Sequence, residues 1–367
     1  IDKTDKTMGF FYNMMDKPIR DSNWKTVTIQ GKVDKTAQYI NFGGLYQHKG
    51  VFFFDDFHVW IEDKSQWKEI SLKDGGFESD TTALVANWSY LKKRRFFSVS
   101  LSDEHPFEGK TAYKVDGSSF VKINTYGNND SAGRYATVNG IRIYYEKYGQ
   151  GPPLLLLHGN SVSIVSFNKQ IPELAKKYTV IAVDSRGQGK STDNGQTYTY
   201  DLFAEDMNAL LDQLHLDSVN VLGWSDGGNT GLIMAMRYPA KVRKLAAMGA
   251  NVFIDPTVVD GWVFDTLHKE QRELKDDSTT WGRNRNRLIT LLLTEPRHHF
   301  EELAAIQCPV LVMAGQKDII KEPHTRQIAA HIRNSRLLIF PGGTHYEPWE
   351  HPDLFNKAVL DFLEDTR

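Results

Sequence analysis

The spacing of hydrophobic and polar positions changes near residues 124–135. Before that stretch, apolar residues come in short aromatic and β-branched runs with no helix-length period. Runs at Lys25–Gln30, Ala37–Phe42, Gly50–Phe54, His58–Glu62, Phe96–Ser100 and Thr111–Val115 read as strands. Gly43-Gly44, Asp74-Gly75-Gly76 and Asp116-Gly117 read as turns between them. Short strands parted by glycine-rich turns predict an all-β sandwich over residues 1–125. Residues 126–135, polar and turn-rich, are the expected linker.

Beyond the linker, over residues 136–367, apolar strands alternate with amphipathic helical periods. Asn139-Gly140 marks a hairpin turn inside Thr137–Tyr145. Near-continuous apolar runs follow at Pro153–Leu157, Val180–Val183, Val219–Leu222, Leu245–Met248 and Val310–Ala314. Helical periods such as Phe203–Leu214 separate them. Strands apolar on both faces, with helices between, predict a doubly wound, mostly parallel sheet covered on both sides.

Composition narrows the function classes. A formal charge of −2, with acidic and basic residues interspersed, gives no reason to expect nucleic acid or an anionic membrane as partner. Cys308 is the only cysteine, so no intrachain disulfide forms. No run approaches the ~18 apolar residues that span a bilayer. Zinc-ligand spacings are absent, and the Gly-x-Gly of Asp184–Ser191 completes no phosphate-binding motif. Neither metal nor cofactor is expected.

The sharpest chemical signal is Gly223-Trp-Ser-Asp-Gly227, closing one apolar run and opening a helix. Such a strand–turn–helix exposes a serine hydroxyl and aims a helix N-terminus at a developing oxyanion. Ser225 is therefore the candidate nucleophile. Serine needs a base, and His345 follows the run Leu337–Phe340 late in the chain. The acid is expected at Asp318, after Val310–Ala314, with Asp255 as competitor. One oxyanion donor is expected at the Asp226 N–H. The second is assigned to Asn160, with Ser161 as fallback, in the loop His158-Gly159-Asn160-Ser161. His158 is expected to brace that loop. His298 and His299 read as a polar helix face, and His351 as a helix start.

These residues carry a resemblance. The stretches His158-Gly159-Asn160, Asp184-x-Arg186-Gly187-x-Gly189, Leu222–Gly228, Gly249-Ala-Asn251, Gly315-x-Lys317-Asp318 and Gly343-x-His345 resemble the α/β-hydrolase superfamily. The nearest likeness is to the valacyclovir-hydrolase (biphenyl-hydrolase-like) group. That resemblance implies a triad of Ser225, Asp318 and His345. It also implies that Asp226 receives a substrate's α-amino group, although a carboxylate at a helix N-terminus is favoured on electrostatic grounds alone. A short lid is expected over residues 252–303. There Trp262, Phe264, Trp281 and Leu288–Leu293, with Trp224 beside the nucleophile, are the expected pocket walls.

The N-terminal region resembles the galactose-binding-like jelly rolls of carbohydrate-binding modules, with its two halves in reversed order. That resemblance implies a glycan partner, with Trp67 and Trp88 as stacking candidates, although packing in the core or between domains is the expectation for both tryptophans. It also implies export to the periplasm or cell surface. The expected activity is hydrolysis of a small carboxylic ester. Carbon–carbon bond hydrolysis or perhydrolysis by the same triad is the enzymatic alternative. A non-catalytic ligand- or glycan-binding protein is the alternative of another class.

Overall fold

A computed structural model describes residues 23–30, 51–63, 66–78, 98–116 and 125–365. The chain divides into two compact units, residues 1–123 and 124–367.

In the first unit, β1 (Val51–Phe54) and β4 (Ser98–Ser102) both pair antiparallel with β5 (Ala112–Asp116). Strands β2 (Val59–Asp63) and β3 (Gln66–Ile70) pair antiparallel as a separate ribbon. Buried Phe77, Tyr113 and Val115 gather Phe52, Phe54, Phe57, Val99 and Leu101 into a small core. Carboxylates hold the loops: Asp55 accepts the N–H groups of Phe107 and Glu108, and Glu78 those of Lys110 and Thr111.

The expected strand Lys25–Gln30 is irregular instead. Its alternate apolar residues Val27 and Ile29 are exposed, and a strand is stable only when a neighbour pairs with its backbone. Ribbon strand β3 was not expected, because Gln66–Ile70 has the polar composition of a surface turn. Trp67 lies exposed on it. The expected strand Ala37–Phe42, the expected turn Gly43-Gly44 and Trp88 lie outside the described residues.

The second unit is built on an 8-stranded sheet in the order β13-β12-β11-β10-β8-β9-β7-β6. The strands are β6 (Gly133–Val138), β7 (Ile141–Tyr148), β8 (Pro153–Leu157), β9 (Thr179–Val183), β10 (Val219–Trp224), β11 (Val242–Met248), β12 (Val310–Lys317) and β13 (Ser335–Thr344). Strand β7 pairs antiparallel with both β6 and β9, and the other five pairings are parallel. Asn139 and Gly140 turn that hairpin with φ of 47° and 75°, the left-handed pair its two-residue loop requires.

Helices α1 (Tyr200–Gln213), α2 (Asp226–Arg237), α5 (Glu322–His331) and α6 (Pro352–Glu364) cover the two faces, and α3 (Gly261–Glu273) and α4 (Thr280–Thr294) form the lid segment between β11 and β12. Two apolar cores result. Leu155, Leu157, Val221 and Leu245 pack with α1 and α2, while Leu154, Leu156, Leu222 and Ala246 pack with α6. Consecutive strand residues feed opposite cores, which is why the runs lack a polar alternation. Arg186 and Asp206, both fully buried, form a bidentate ion pair that ties the loop after β9 to α1.

Residues 125–132 are anchored to this unit. The Glu146 carboxylate accepts the Gly127 and Asn129 N–H groups, and Tyr126 packs edge-on against Tyr148. Among the described residues, no helix is long and apolar enough to cross a membrane.

Candidate active site

The turn at Ser225 is forced by its neighbours. A Cβ at Gly223 would lie 2.1 Å from Gly227 O, and one at Gly227 would lie 1.9 Å from Leu157 O. Only glycine fits either position, so strand β10 passes into α2 within a single residue. Ser225 absorbs the reversal with φ 57° and ψ −118°, a left-handed conformation costing a non-glycine residue about 1–3 kcal/mol. Its N–H donates to Met248 O at 2.8 Å, which fixes the turn against β11.

Asp318 and His345 directly follow β12 and β13, at the same carboxyl edge of the sheet. Ser225 Oγ lies 2.9 Å from His345 Nε2, and His345 Nδ1 lies 2.7 Å from Asp318 Oδ1. The Asp318 carboxylate also accepts the N–H groups of Ile320 and Gly315, at 3.0 and 3.3 Å. Gly249, with φ 61°, leaves room for the imidazole; a Cβ there would meet His345 Cε1 at 2.7 Å. The competing Asp255 is occupied in its own turn, accepting from the Thr257 N–H and hydroxyl.

The loop after β8 closes the opposite side. A Cβ at Gly159 would sit 3.3 Å from Ser225 Cβ, so the backbone there passes against the nucleophile. Ser161 does not serve as a fallback donor, because its N–H is already given to Gln188 Oε1 at 2.6 Å. The Asp226 N–H is the first of helix α2, where the helix supplies no acceptor. His158 is fully buried between Gly159 O (2.7 Å from Nδ1) and the Ser185 N–H (3.0 Å from Nε2). Burial lowers its pKa to about 4, consistent with a neutral ring bracing two loops.

The Asp226 side chain turns away from its own N–H and into the fold. Oδ1 accepts the Tyr200 hydroxyl at 2.8 Å, and Oδ2 accepts Asn160 Nδ2 at 2.9 Å. Burial raises its pKa to about 6, against the lowering effect of those two bonds and of His345.

A cavity opens beside Ser225 and Asp226. Tyr200, Asn251 and Glu295 supply its other polar lining, and Ile254, Val259, Val263, Phe264, Leu267 and Leu292 its apolar walls. Phe264 is therefore a wall residue, as expected, but Trp262 and Trp281 are not. Each is 59% exposed, on the solvent side of α3 and α4. The helical phase explains this: Val263, Phe264 and Leu267 share one face of α3, and Trp262 falls beside it.

Trp224 is likewise no pocket residue. It is buried, donates Nε1 to His345 O at 2.8 Å, and packs edge-on against Trp349. It therefore holds the histidine loop. His298 is not part of a polar helix face either. It lies buried between Asp201 and Glu302, which raise its pKa to about 9. His299 instead caps the short 3-10 helix Phe300–Ala305, and His351 stands at the N-cap position of α6 with its ring bonded to Glu347.

Tyr200, Glu295 and the Asn160–Asp226 bond were missed in the sequence. Glu295 was the most legible of these, standing three and seven residues after Leu292 and Leu288 on the apolar stripe of α4.

Comparison with known proteins finds relatives of the second unit. Residues 152–294 match the model of the alpha/beta hydrolase fold. The chain is 31% identical to the human serine hydrolase BPHL over 247 residues, spanning 62% of this chain and 84% of that protein. It is 28% identical to 2-hydroxy-6-oxononadienedioate/2-hydroxy-6-oxononatrienedioate hydrolase 1 of Pseudomonas putida, over 61% of this chain and 92% of that one. The enol-lactonase of Burkholderia xenovorans superposes with a TM-score of 0.54 at 24% identity, covering 63% of this chain and all of its own. The chain belongs to the α/β-hydrolase superfamily of enzymes.

Proposed function

We propose that the protein hydrolyses a carboxylic ester through an acyl-enzyme on Ser225. The observation that carries this reading is the hydrogen-bonded series Ser225 Oγ–His345 Nε2–Asp318, at 2.9 and 2.7 Å, on a turn that leaves the serine beside a cavity. Ser225 Oγ attacks the ester carbonyl while His345 Nε2 takes its proton. Asp318 holds Nδ1–H and stabilises the imidazolium. The N–H groups of Asp226 and Asn160 receive the tetrahedral oxyanion. Collapse expels the alcohol, which takes the proton from Nε2. Water, deprotonated by the same nitrogen, then attacks the acyl-enzyme and releases the acid.

The cavity's charge favours an ester over the substrate of the Pseudomonas relative. That protein's name describes dicarboxylates, whereas this cavity is lined by Asp226 and Glu295 with no lysine, arginine or histidine. Two carboxylates in an apolar enclosure repel an anionic acyl group and accept a neutral or cationic one.

A panel of 4-nitrophenyl esters with neutral, cationic and anionic acyl groups tests the proposal. Neutral and cationic esters should be cleaved and anionic ones resisted, with Ser225→Ala losing at least about 10⁴-fold in kcat. Equal hydrolysis by the variant would refute it.

A further inference from the structure

The lid helix α4 carries Arg283, Arg285 and Arg287, and they reach different places. Arg283 folds back onto Ser278 O beside its own helix start. Arg287 pairs with Asp193 at 2.9 Å and lies over the Tyr198 ring, in the segment after β9. Arg285 spans three elements. Its Nε and Nη2 donate to the two carboxylate oxygens of Glu270 on α3, each at 2.6 Å. Its Nη1 donates to Ser161 Oγ and lies 3.5 Å from Asn160 Oδ1, in the loop after β8. A guanidinium is planar, so two nitrogens fixed on one carboxylate leave the third with a set direction. Arg285 and Glu270 are only 20% and 30% exposed, which shelters the pair from full screening.

The Ser161 hydroxyl that accepts from Arg285 donates in turn to Asn160 Oδ1 at 2.6 Å. At the other end of the same amide, Nδ2 donates to Leu288 O of α4 as well as to Asp226. The lid helix therefore holds the Asn160 side chain from both ends. Ser161 itself is exposed and stands at φ 57°, which costs a non-glycine residue energy. A loop so shaped keeps its form only through ties to its surroundings.

We infer that Arg285 is a positioning residue for the oxyanion hole: through Ser161 it sets the backbone of Asn160, and its fork on Glu270 makes that setting depend on α3 being docked against α4. This inference rests on reading the Asn160 N–H as an oxyanion donor. The hole is complete only with both lid helices in place. The cavity walls on α3 and the donor that serves the transition state are thus assembled by the same ion pair.

The second-order rate at which a fluorophosphonate labels Ser225 in the full chain tests it, since the phosphoryl oxygen takes the oxyanion's place. Arg285→Ala should slow labelling by about tenfold to a hundredfold, and Glu270→Gln by severalfold. Arg285→Lys should not recover the rate, because one ammonium does not hold Glu270 and Ser161 together. Arg287→Ala, which loosens the same helix from the segment after β9, should label at the wild-type rate. Ser161→Ala removes an exposed hydroxyl, should slow labelling as Arg285→Ala does, and stands as the test if Arg285→Ala does not fold. The two combined should lose no more than either alone. On a cleaved neutral ester the losses should fall on kcat with KM unchanged. Wild-type labelling by Arg285→Ala, Glu270→Gln or Ser161→Ala, recovery by Arg285→Lys, an equal loss in Arg287→Ala, additive losses, or a change confined to KM would each overturn the inference. If no ester is cleaved while labelling follows Arg285, the ester reading falls and the positioning role stands.

Discussion

Asn160 Nδ2 donates to Asp226 Oδ2 at 2.9 Å, joining the loop after β8 to the first residue of the nucleophile helix. The backbone N–H groups of these same residues are the two proposed oxyanion donors, so one side-chain bond fixes the distance between them. A second bond from Asn160 Nδ2, to Leu288 O at 3.3 Å, extends the brace to the lid helix α4. Asn160→Ala keeps the backbone donor and removes the brace. It should lower kcat by about tenfold to a hundredfold with little change in KM, the signature of a charge-assisted bond that serves only the transition state. Steady-state kinetics on one neutral ester checks this, and a change confined to KM would contradict it.

Trp224 acts on the base through the backbone. Its indole N–H on His345 O at 2.8 Å, with Trp349 edge-on behind it, sets the height of the histidine loop. Trp224→Phe preserves most of the packing and deletes the donor. Loss of one buried hydrogen bond should destabilise the fold by about 1–3 kcal/mol and reduce kcat by roughly tenfold. Urea melts and kinetics on the same preparation separate the two effects.

Gly227 tests the packing argument for the elbow. A methyl group there would overlap Leu157 O at 1.9 Å, a backbone atom held within the sheet. Gly227→Ala should destabilise by more than about 3 kcal/mol or abolish soluble expression. Gly159→Ala, whose Cβ would lie 3.3 Å from Ser225 Cβ, should fold but react slowly. Circular dichroism melts of the two variants should rank in that order.

His298 gives stability a pH dependence. Its hydrogen bond to Asp201, and then that to Glu302, raise the imidazole pKa to about 9, above the ordinary value of 6.5. The folded state therefore holds this proton more tightly than the unfolded chain does. The contribution is fully present below about pH 6.5 and is lost as pH rises through about 9. Its size is on the order of 2–3 kcal/mol. The stability difference between wild type and His298→Gln, from urea melts at pH 6, 8 and 10, should shrink across that range. A difference independent of pH would contradict the assignment.

The sheet and the elbow were legible in the sequence because they depend on local constraints. Pro153–Leu157 bounds its strand as expected, and the other parallel strands extend their apolar runs by one to four residues at an end. Gly223, Gly227, Gly249 and Gly315 occupy sites where any side chain would collide, so their spacing records the geometry directly. Asp318 and His345 could be found because each directly follows a strand of one parallel sheet.

The pocket was less legible, because its lining depends on how α3 and α4 dock. Side-chain chemistry suggested Trp262 and Trp281, but helical phase turns both outward and brings Val263, Phe264 and Glu295 in. The bonds of Asp226 to Tyr200 and Asn160 have no local signature, since those partners stand 26 and 66 residues away in the chain. His298 was misread for the same reason, since its partner Asp201 lies 97 residues before it. Short-range pattern carries no record of such pairings.

Mass spectrometry of the folded protein after reaction with a fluorophosphonate tests most directly whether the serine is activated. One adduct, mapped to the peptide containing Ser225 and absent from Ser225→Ala and from heat-unfolded protein, is the predicted result. An unmodified Ser225 in folded protein, or a modification that persists in Ser225→Ala, would contradict the account.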